Sequence, residues 1–454
     1  MKRFISTTLL IALLLVTNNL LAQERRTITI QEAIEIALEN NYQLKQAKNN
    51  LELSEYNIKS EYADFLPSVS GGFNGSRRTG RQFVPDVVDF RDVTSQSISG
   101  NLSASIPIFN GFENIYSLKA SEQSKLSDEE SLQRAKEQVI FNTASNYLGV
   151  LLDRELLEIR KENLENSQMQ LEQVQAQVEV GSRPTVDLYN QEAQVANQEL
   201  LLTQQENALK FSEILLIRQL QIDPLGEYEF IVPDIESNIN REIVERYSLS
   251  ELIDQALLNR SDLKSSMADI RTLEYQLKIT KNNLLPSISG SAGLSTSYSD
   301  QYTVLGENIS FGDQFFDQRI NRSVGFSVNI PIFQNWNRMY NIQSSKVQLK
   351  NAELNLDNSR LQVIQEVTQA YNDYTSYVQQ LEASEKSLIA SERAFETQQA
   401  RYNVGSSTLI ELSQAQANYV EAQSNYTQAT YNLIFQEKLL DYYLGKLSGS
   451  SIEF

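Results

Sequence analysis

The side chains that most often carry chemistry are missing from this chain, whose 454 residues include no Cys and no His. Imidazole and thiolate ligands, disulfides and the commonest general base are therefore excluded together. The carboxylates that remain are spread as on ordinary helix surfaces, with no marked pair for acid–base work and no glycine-rich loop to cradle phosphate. Two acids stand apart by position. Asp187 and Glu411 follow the segments Val180-Gly181-Ser182-Arg183-Pro184-Thr185 and Val404-Gly405-Ser406-Ser407-Thr408. Glycine permits the left-handed geometry that ends one helix, Ser or Thr caps the next, and an acid in a first turn meets the positive end of the helix dipole. No enzyme, cofactor or resident metal is expected.

The helices joined by those turns are written in heptads. Val150, Leu157, Leu164, Leu171 and Val178 fall seven residues apart, and beyond Gly181 the column resumes at Leu188, Val195, Leu202, Leu209 and Leu216. A second column runs through Tyr374, Leu381, Leu388, Phe395 and Tyr402, turns at Gly405, and continues through Leu412, Tyr419, Tyr426, Leu433 and Leu440. A strict seven-residue repeat imposes left-handed supercoiling on a partner helix, so two antiparallel coiled-coil hairpins are expected.

The rest of the chain is doubled as well. The first repeat is expected at 23–222, with helices at 29–65, strands at 67–109, a long helix at 113–178 and a return helix at 185–220. The second is expected at 248–445, with helices at 248–284, strands at 286–333, a long helix at 337–402 and a return helix at 408–444. Glu32 and Glu251, Ala37 and Ala256, Asn40 and Asn259, and Leu66-Pro67 and Leu285-Pro286 occupy matching places. Each long helix would measure roughly 100 Å at about 1.5 Å per residue. An irregular connector at 223–247 would lie across the rods, and 446–454 would be a loose tail.

Residues 1–22, with Lys2 and Arg3 ahead of an apolar run, read as a cleaved secretory signal. No later stretch approaches ~18 uninterrupted apolar residues, so no membrane-spanning helix is expected. The net charge of −19, about −21 once Lys2 and Arg3 leave with the signal, disfavours nucleic acid and anionic lipid as partners.

After each Leu-Pro pair the period changes from helical to alternating. Leu102, Ala104, Ile106 and Ile108 in one half, and Val324, Phe326, Val328, Ile330 and Ile332 in the other, are set between Ser, Asn, Gly and Pro. Weaker strands are expected around Val69 and Ile288, with loops at 77–94 and 300–319. A half-buried sheet packed on helices has the same alternation. The small polar partners, and the aromatic residues Phe109, Phe112, Phe333 and Trp336 at the strand ends, instead favour a lipid-facing barrel with a girdle. Four strands cannot close a barrel, and an open edge is forbidden in hydrocarbon, so copies of the chain would have to combine.

With these elements in place, the chain resembles the outer-membrane efflux proteins of the TolC type. The resemblance spans nearly the whole mature chain. It rests on the duplicated order and on Arg401-Tyr402-Asn403-Val404-Gly405, then Leu412, Ala415-Gln416, Ala422, Asn425-Tyr426, Ala429, Tyr431-Asn432 and Leu444-Gly445. It implies a mainly α fold with a small β part. A long antiparallel coiled-coil helical barrel would continue an oligomeric transmembrane β-barrel of four strands per chain, with an internal two-fold repeat. It further implies a homotrimer in the outer membrane of a Gram-negative bacterium, with the helical part in the periplasm. Its partners would be outer-membrane lipid, a periplasmic adaptor (membrane fusion) protein and an inner-membrane transporter, and its cargo small molecules or secreted protein.

By the same resemblance, Val180, Gly181, Ser182, Thr185, Val404, Gly405, Ser406 and Thr408 form adaptor-docking tips, and Asp187, Glu411 and Arg183 a periplasmic gate. A second tip carboxylate found in some members is Asn190 and Gln414 here, and the tip arginine of the second hairpin is Ser407. Gln168, Gln170, Gln173, Gln175 and Gln177 would suit a hydrated tunnel wall or any solvated helix face. The alternative function is a soluble periplasmic coiled-coil scaffold that binds protein partners.

Overall fold

A computed structural model describes residues 26–84, 88–231, 248–304 and 307–447. The expected signal at 1–22, the connector from 232 to 247 and the tail from 448 lie outside the described residues. In chain order the elements are β1 (Arg26–Ile28), α1 (Ile30–Asn40), α2 (Tyr42–Ala63), β2 (Ser68–Val84), β3 (Asp89–Phe109), α3 (Glu113–Glu179), α4 (Thr185–Leu220) and β4 (Tyr228–Phe230). They continue with α5 (Leu249–Asn259), α6 (Ser261–Asn282), β5 (Ser287–Ser299), β6 (Asn321–Asn329), α7 (Asn337–Asn403) and α8 (Leu409–Tyr443). Between β5 and β6 lie a two-residue ribbon and a helical turn, Phe311–Asp313, that runs into a π-helical turn, Gln314–Gln318.

Two compact units are distinguished. Among the described residues, one comprises 26–48, 130–231, 248–263 and 358–447, and the other 49–84, 88–129, 264–304 and 307–357. In the first, the heptad columns are the packing surface: none of their twenty positions is exposed, and Val150, Leu216, Tyr374 and Leu381 are wholly buried. The helices begin where capping residues satisfy free amides. Thr29 with Glu32 caps α1, Ser248 with Glu251 caps α5, and each forms a reciprocal capping box.

A polar layer crosses this unit. Asn163 on α3 donates to Gln198 on α4 at 2.7 Å and accepts from Gln416 on α8 at 2.8 Å, while Gln191 donates to the Ser167 carbonyl at 3.0 Å. Gln170, expected on a wet face, is buried in a stripe with Asn163, Ser167 and Val174. The reason is that α3 is covered from two sides, so a second stripe joins the leucine column inside. Buried amides that find partners only in one register fix helix alignment.

The connector is not irregular throughout. Tyr228–Phe230 forms β4, paired in parallel with β1 through Arg26↔Tyr228 and Ile28↔Phe230. The wholly buried Tyr147 shares its hydroxyl between the carbonyls of Ile28 and Ile231 at 2.9 and 2.8 Å, and Arg154 donates to the Phe230 carbonyl at 2.6 Å. Burial pushes the Tyr147 hydroxyl up to about 12, so it stays a neutral donor. Tyr147→Phe removes the hydroxyl that ties the Ile28 and Ile231 carbonyls to α3 and is expected to cost about 1 kcal/mol. A lowered denaturant midpoint for the purified variant checks this, and an unchanged midpoint would remove the clamp.

In the second unit the sheet has the order β2-β3-β5-β6, all antiparallel, which leaves β2 and β6 as its edges. The loop expected at 77–94 is replaced by strand: β2 and β3 pair without a break out to Val84↔Asp89. Backbone hydrogen bonding carries this hairpin past the point where apolar alternation ends. The opposite error occurs in β6, which ends at Asn329 before Ile330 and Ile332. Pro331 has no N–H for a ladder and marks that end. Pro107 stays within β3 because a register shift between Pro107 and Phe109 absorbs it.

Candidate functional site

The register sorts the sheet into two chemically opposite faces. On one, Gly71 lies opposite Leu102, Leu102 opposite Leu294, Ala104 opposite Ala292, Ala292 opposite Val324 and Gly290 opposite Phe326. On the other, serines meet serines. The Ser70–Ser103, Ser76–Ser97 and Ser289–Ser327 hydroxyls lie 2.9, 2.8 and 2.8 Å apart. The apolar side chains are uncovered, with Val324 90% and Phe326 78% exposed. An exposed greasy face backed by a hydroxyl face needs an apolar medium on one side and water on the other.

Each strand-to-helix junction bends through two successive left-handed residues, Gly111 and Phe112 (φ 69° and 66°), and Asn335 and Trp336 (φ 45° and 65°). At Gly111 a Cβ would stand 2.7 Å from the Asn282 carbonyl oxygen, so glycine is required there for space as well as for φ. The expected girdle residues divide. Phe109 and Phe112 meet edge-on at 5.2 Å, whereas Phe333 and Trp336 remain 77% and 72% exposed. A second aromatic group, supplied by Phe73 and by the loop expected at 300–319, lies toward the other end of the strands. Phe315 stacks near Phe73 at 6.5 Å and on Phe311 at 5.1 Å.

In the helical unit the two turns share one backbone solution. Gly181 (φ 73°) and Gly405 (φ 76°) each donate to the carbonyl three residues back, Val178 and Tyr402, at 3.0 Å. Ser182 and Ser406 donate both N–H and hydroxyl to the carbonyl five residues back, Gln177 and Arg401. This is the Schellman arrangement, and it leaves Val180 and Val404 at the apex, each 79% exposed. Beneath the turns Val174, Tyr402, Leu409 and Leu412 form one core with Leu188 and Phe395 against it.

The acids behave differently from each other. Asp187 pairs with Arg183 at 3.6 Å, and the Arg183 guanidinium lies 4.2 Å from the Tyr402 ring centre. Thr185 opens α4 after an N-cap, Pro184, that makes no side-chain cap. Glu411 closes a capping box with Thr408 and accepts from the Ser407 hydroxyl at 2.7 Å. The Ser407 hydroxyl and the Thr408 amide hold the Glu411 carboxyl below its ordinary range. No hydrogen bond or ion pair joins Asp187 to Glu411 among the described residues; each is engaged within its own turn. Sequence reasoning also missed Arg401, which donates to the Ser406 carbonyl at 3.1 Å and supplies the second turn with a guanidinium where Ser407 has none. Its signal was present in the quoted motif, three residues before Val404.

One further surface is uncovered among the described residues. Along α7, Tyr340, Val347, Leu354 and Leu361 fall seven apart and are 69%, 47%, 57% and 67% exposed. A heptad stripe with nothing over it is a seam for another helix.

Comparison with known proteins gives these surfaces their class. The profile of the outer membrane efflux protein family matches residues 33–220 and 252–446. The chain is 22% identical over 346 residues to outer membrane efflux protein BepC of Brucella suis, covering 76% of this chain and 69% of that protein. It is 24% identical over 336 residues to cation efflux system protein CusC of Escherichia coli O157:H7, covering 72% and 66%. Among solved structures, CusC superposes with a TM-score of 0.79 at 19% identity over 92% of both chains. The Campylobacter jejuni CmeC outer membrane channel gives 0.75 at 19% identity over 92% of this chain and 85% of that one. The chain belongs to the outer membrane efflux protein family, the efflux channels of the Gram-negative outer membrane.

Proposed function

We propose that three copies of this chain form a single conduit, a twelve-stranded barrel in the outer membrane continued by a helical tunnel in the periplasm, and that the conduit carries cargo without acting as an enzyme. The observation that carries this reading is the two-faced sheet with two open edges. Its unpaired β2 and β6 would violate the rule against unsatisfied backbone groups in lipid unless they pair with neighbouring copies. Four strands fall short of the smallest barrels, which have about eight, and three copies supply about twelve. The α7 stripe gives those copies a helical seam as well.

The thickness is consistent. From Gly100, where Phe73 and Phe315 sit, to Phe109 is nine residues of β3. At about 3.3 Å per residue that is ~30 Å of strand, or roughly 23 Å of height at a tilt of ~40°. Aromatic residues mark both ends of that band. Each chain then brings two turns to the periplasmic mouth of the conduit. There Val180 and Val404, presented by Gly181, Ser182, Thr185, Gly405, Ser406 and Thr408, are the docking knobs for a periplasmic adaptor of an inner-membrane transporter. Asp187, Glu411 and Arg183 line the mouth of the same turns and serve as its gate.

Because the chain has no cysteine, Val404→Cys introduces a unique thiol at the apex. In cells carrying the cognate adaptor, a thiol-to-amine crosslinker is expected to join this variant to the adaptor, and the same substitution on a lateral face, Glu392→Cys, to give none. Equal crosslinking at both positions, or none at Val404, would contradict docking at the turns.

A further inference from the structure

The π-helical turn between β5 and β6 folds back onto the greasy face of the sheet and roofs a cavity of about 380 Å3 whose lining is almost wholly apolar. Its floor is Gly71, Gly100 and Leu102, its walls are Phe73 and Leu294, and Phe315 closes one side. The roof is fitted to the sheet: a Cβ on Gly100 would meet the Phe73 ring at 2.9 Å and the Phe315 ring at 3.1 Å, so only glycine leaves the roof in place. Thr296 donates to the Phe315 carbonyl at 2.5 Å and pins the turn there.

Two arginines stand on the greasy side of the strands beside this cavity. Arg77 stands on the greasy side of β2, four residues beyond Phe73, and Arg322 stands on the greasy side of β6, opposite Leu294 in the register. Both are exposed, and neither has a hydrogen-bond or ion-pair partner among the described residues. β2, β5 and β6 contain no acidic residue, on the greasy side of β3 the acid is Asp92, which faces Arg81, and the roof turn carries Asp317 and Asp313, the latter engaged by the Ser310 hydroxyl at 2.7 Å. The chain's net negative charge argued against anionic lipid, but charges more than a Debye length of about 8 Å away are largely screened, so the local arginines decide.

Resting on the proposed membrane orientation, we infer that this site binds a phosphorylated glycolipid of the outer leaflet, with one acyl chain in the cavity against Leu102 and Leu294 and headgroup phosphates against Arg77 and Arg322. Two positive positions on opposite flanks of one apolar cavity suit a headgroup with more than one phosphate better than a single-phosphate lipid. Arginine is the side chain for that task, since its planar fork donates to phosphate in pairs and its stem lies along apolar surface while the head reaches out.

The test is native mass spectrometry of the detergent-extracted assembly exposed to lipid A, phosphatidylglycerol or phosphatidylcholine. Wild type is expected to retain lipid A in preference to both phospholipids. R77Q/R322Q is expected to lose about tenfold in lipid A occupancy through its charge-assisted contacts. L294W, which narrows the cavity without changing charge, is expected to lose occupancy with assembly intact. Equal lipid A occupancy in wild type and R77Q/R322Q, unchanged occupancy in L294W, or retention of phosphatidylglycerol to the same extent would overturn the inference. If the assembly needs detergent but takes up no lipid A, the inference falls and the conduit stands. If the chain is extracted in plain buffer, both fall.

Discussion

Gly405→Pro is expected to abolish export while the channel still assembles in the outer membrane. Two independent constraints meet at this residue. Its φ of 76° lies far from the roughly −65° that a proline ring imposes, and its N–H is the donor to Tyr402 at 3.0 Å that closes the turn. Losing both unwinds the reversal between α7 and α8 at a cost of about 3 kcal/mol or more. The damage reaches the core directly below, because Tyr402, Leu409 and Leu412 pack there with Val174 of the other hairpin. Gly181→Pro breaks the same geometry in the first turn. Gly405→Ala keeps the N–H and is expected to be milder, with a penalty of about 1–2 kcal/mol for the left-handed backbone. Drug resistance or cargo release in cells, measured beside the amount of assembled channel, checks the series. Wild-type export by Gly405→Pro would mean that the turns are only efficient connections.

Val324→Arg should block outer-membrane assembly, and Ser323→Arg, one residue away, should not. Val324 is 90% exposed on the face that carries Ala292 and Phe326, and Ser323 points to the hydroxyl face opposite Gly293. An arginine on the lipid side of a membrane strand costs about 2–4 kcal/mol near the midplane, with much smaller effects on the lumen side. The comparison isolates facing from position, since both substitutions add the same charge to the same edge strand. The amount of folded, detergent-extractable assembly in outer-membrane fractions is the readout. Equal tolerance of both variants would show that neither face meets lipid.

Much of this architecture is legible in residue spacing. The heptad columns identify the helices that pack, because every member avoids exposure, and Gly181 and Gly405 mark the turns because left-handed geometry at a helix end calls for glycine. The limits of legibility have equally definite causes. β2 and β3 extend through Arg77, Thr79 and Gly80, where the ladder is maintained by backbone bonds to which side-chain alternation is indifferent. The pairing of Arg26–Ile28 with Tyr228–Phe230 joins two three-residue strands distant in sequence, too short to show a period. Gln170 looks solvated beside Gln168 and Gln173, and becomes buried because α3 has neighbours on two sides, a property of tertiary packing. At the turns, the residue types at Asp187 and Glu411 match, but the pairing of one with Arg183 and the capping by the other depend on Pro184 standing where Thr408 stands in the second turn. The aromatic turn at Phe311, Phe315 and Phe316 has no strand or helix period, so its place over Gly100 emerges only in three dimensions.

The claim on which the account rests is that the sheet edges are completed by other copies of the chain in lipid. Outer-membrane extraction followed by mass measurement of the intact complex tests it most directly. The account predicts that the mature chain leaves the membrane fraction only with detergent and has the mass of three copies. A water-soluble monomer would contradict it, leaving paired helical rods and a sheet whose greasy face has no medium to meet.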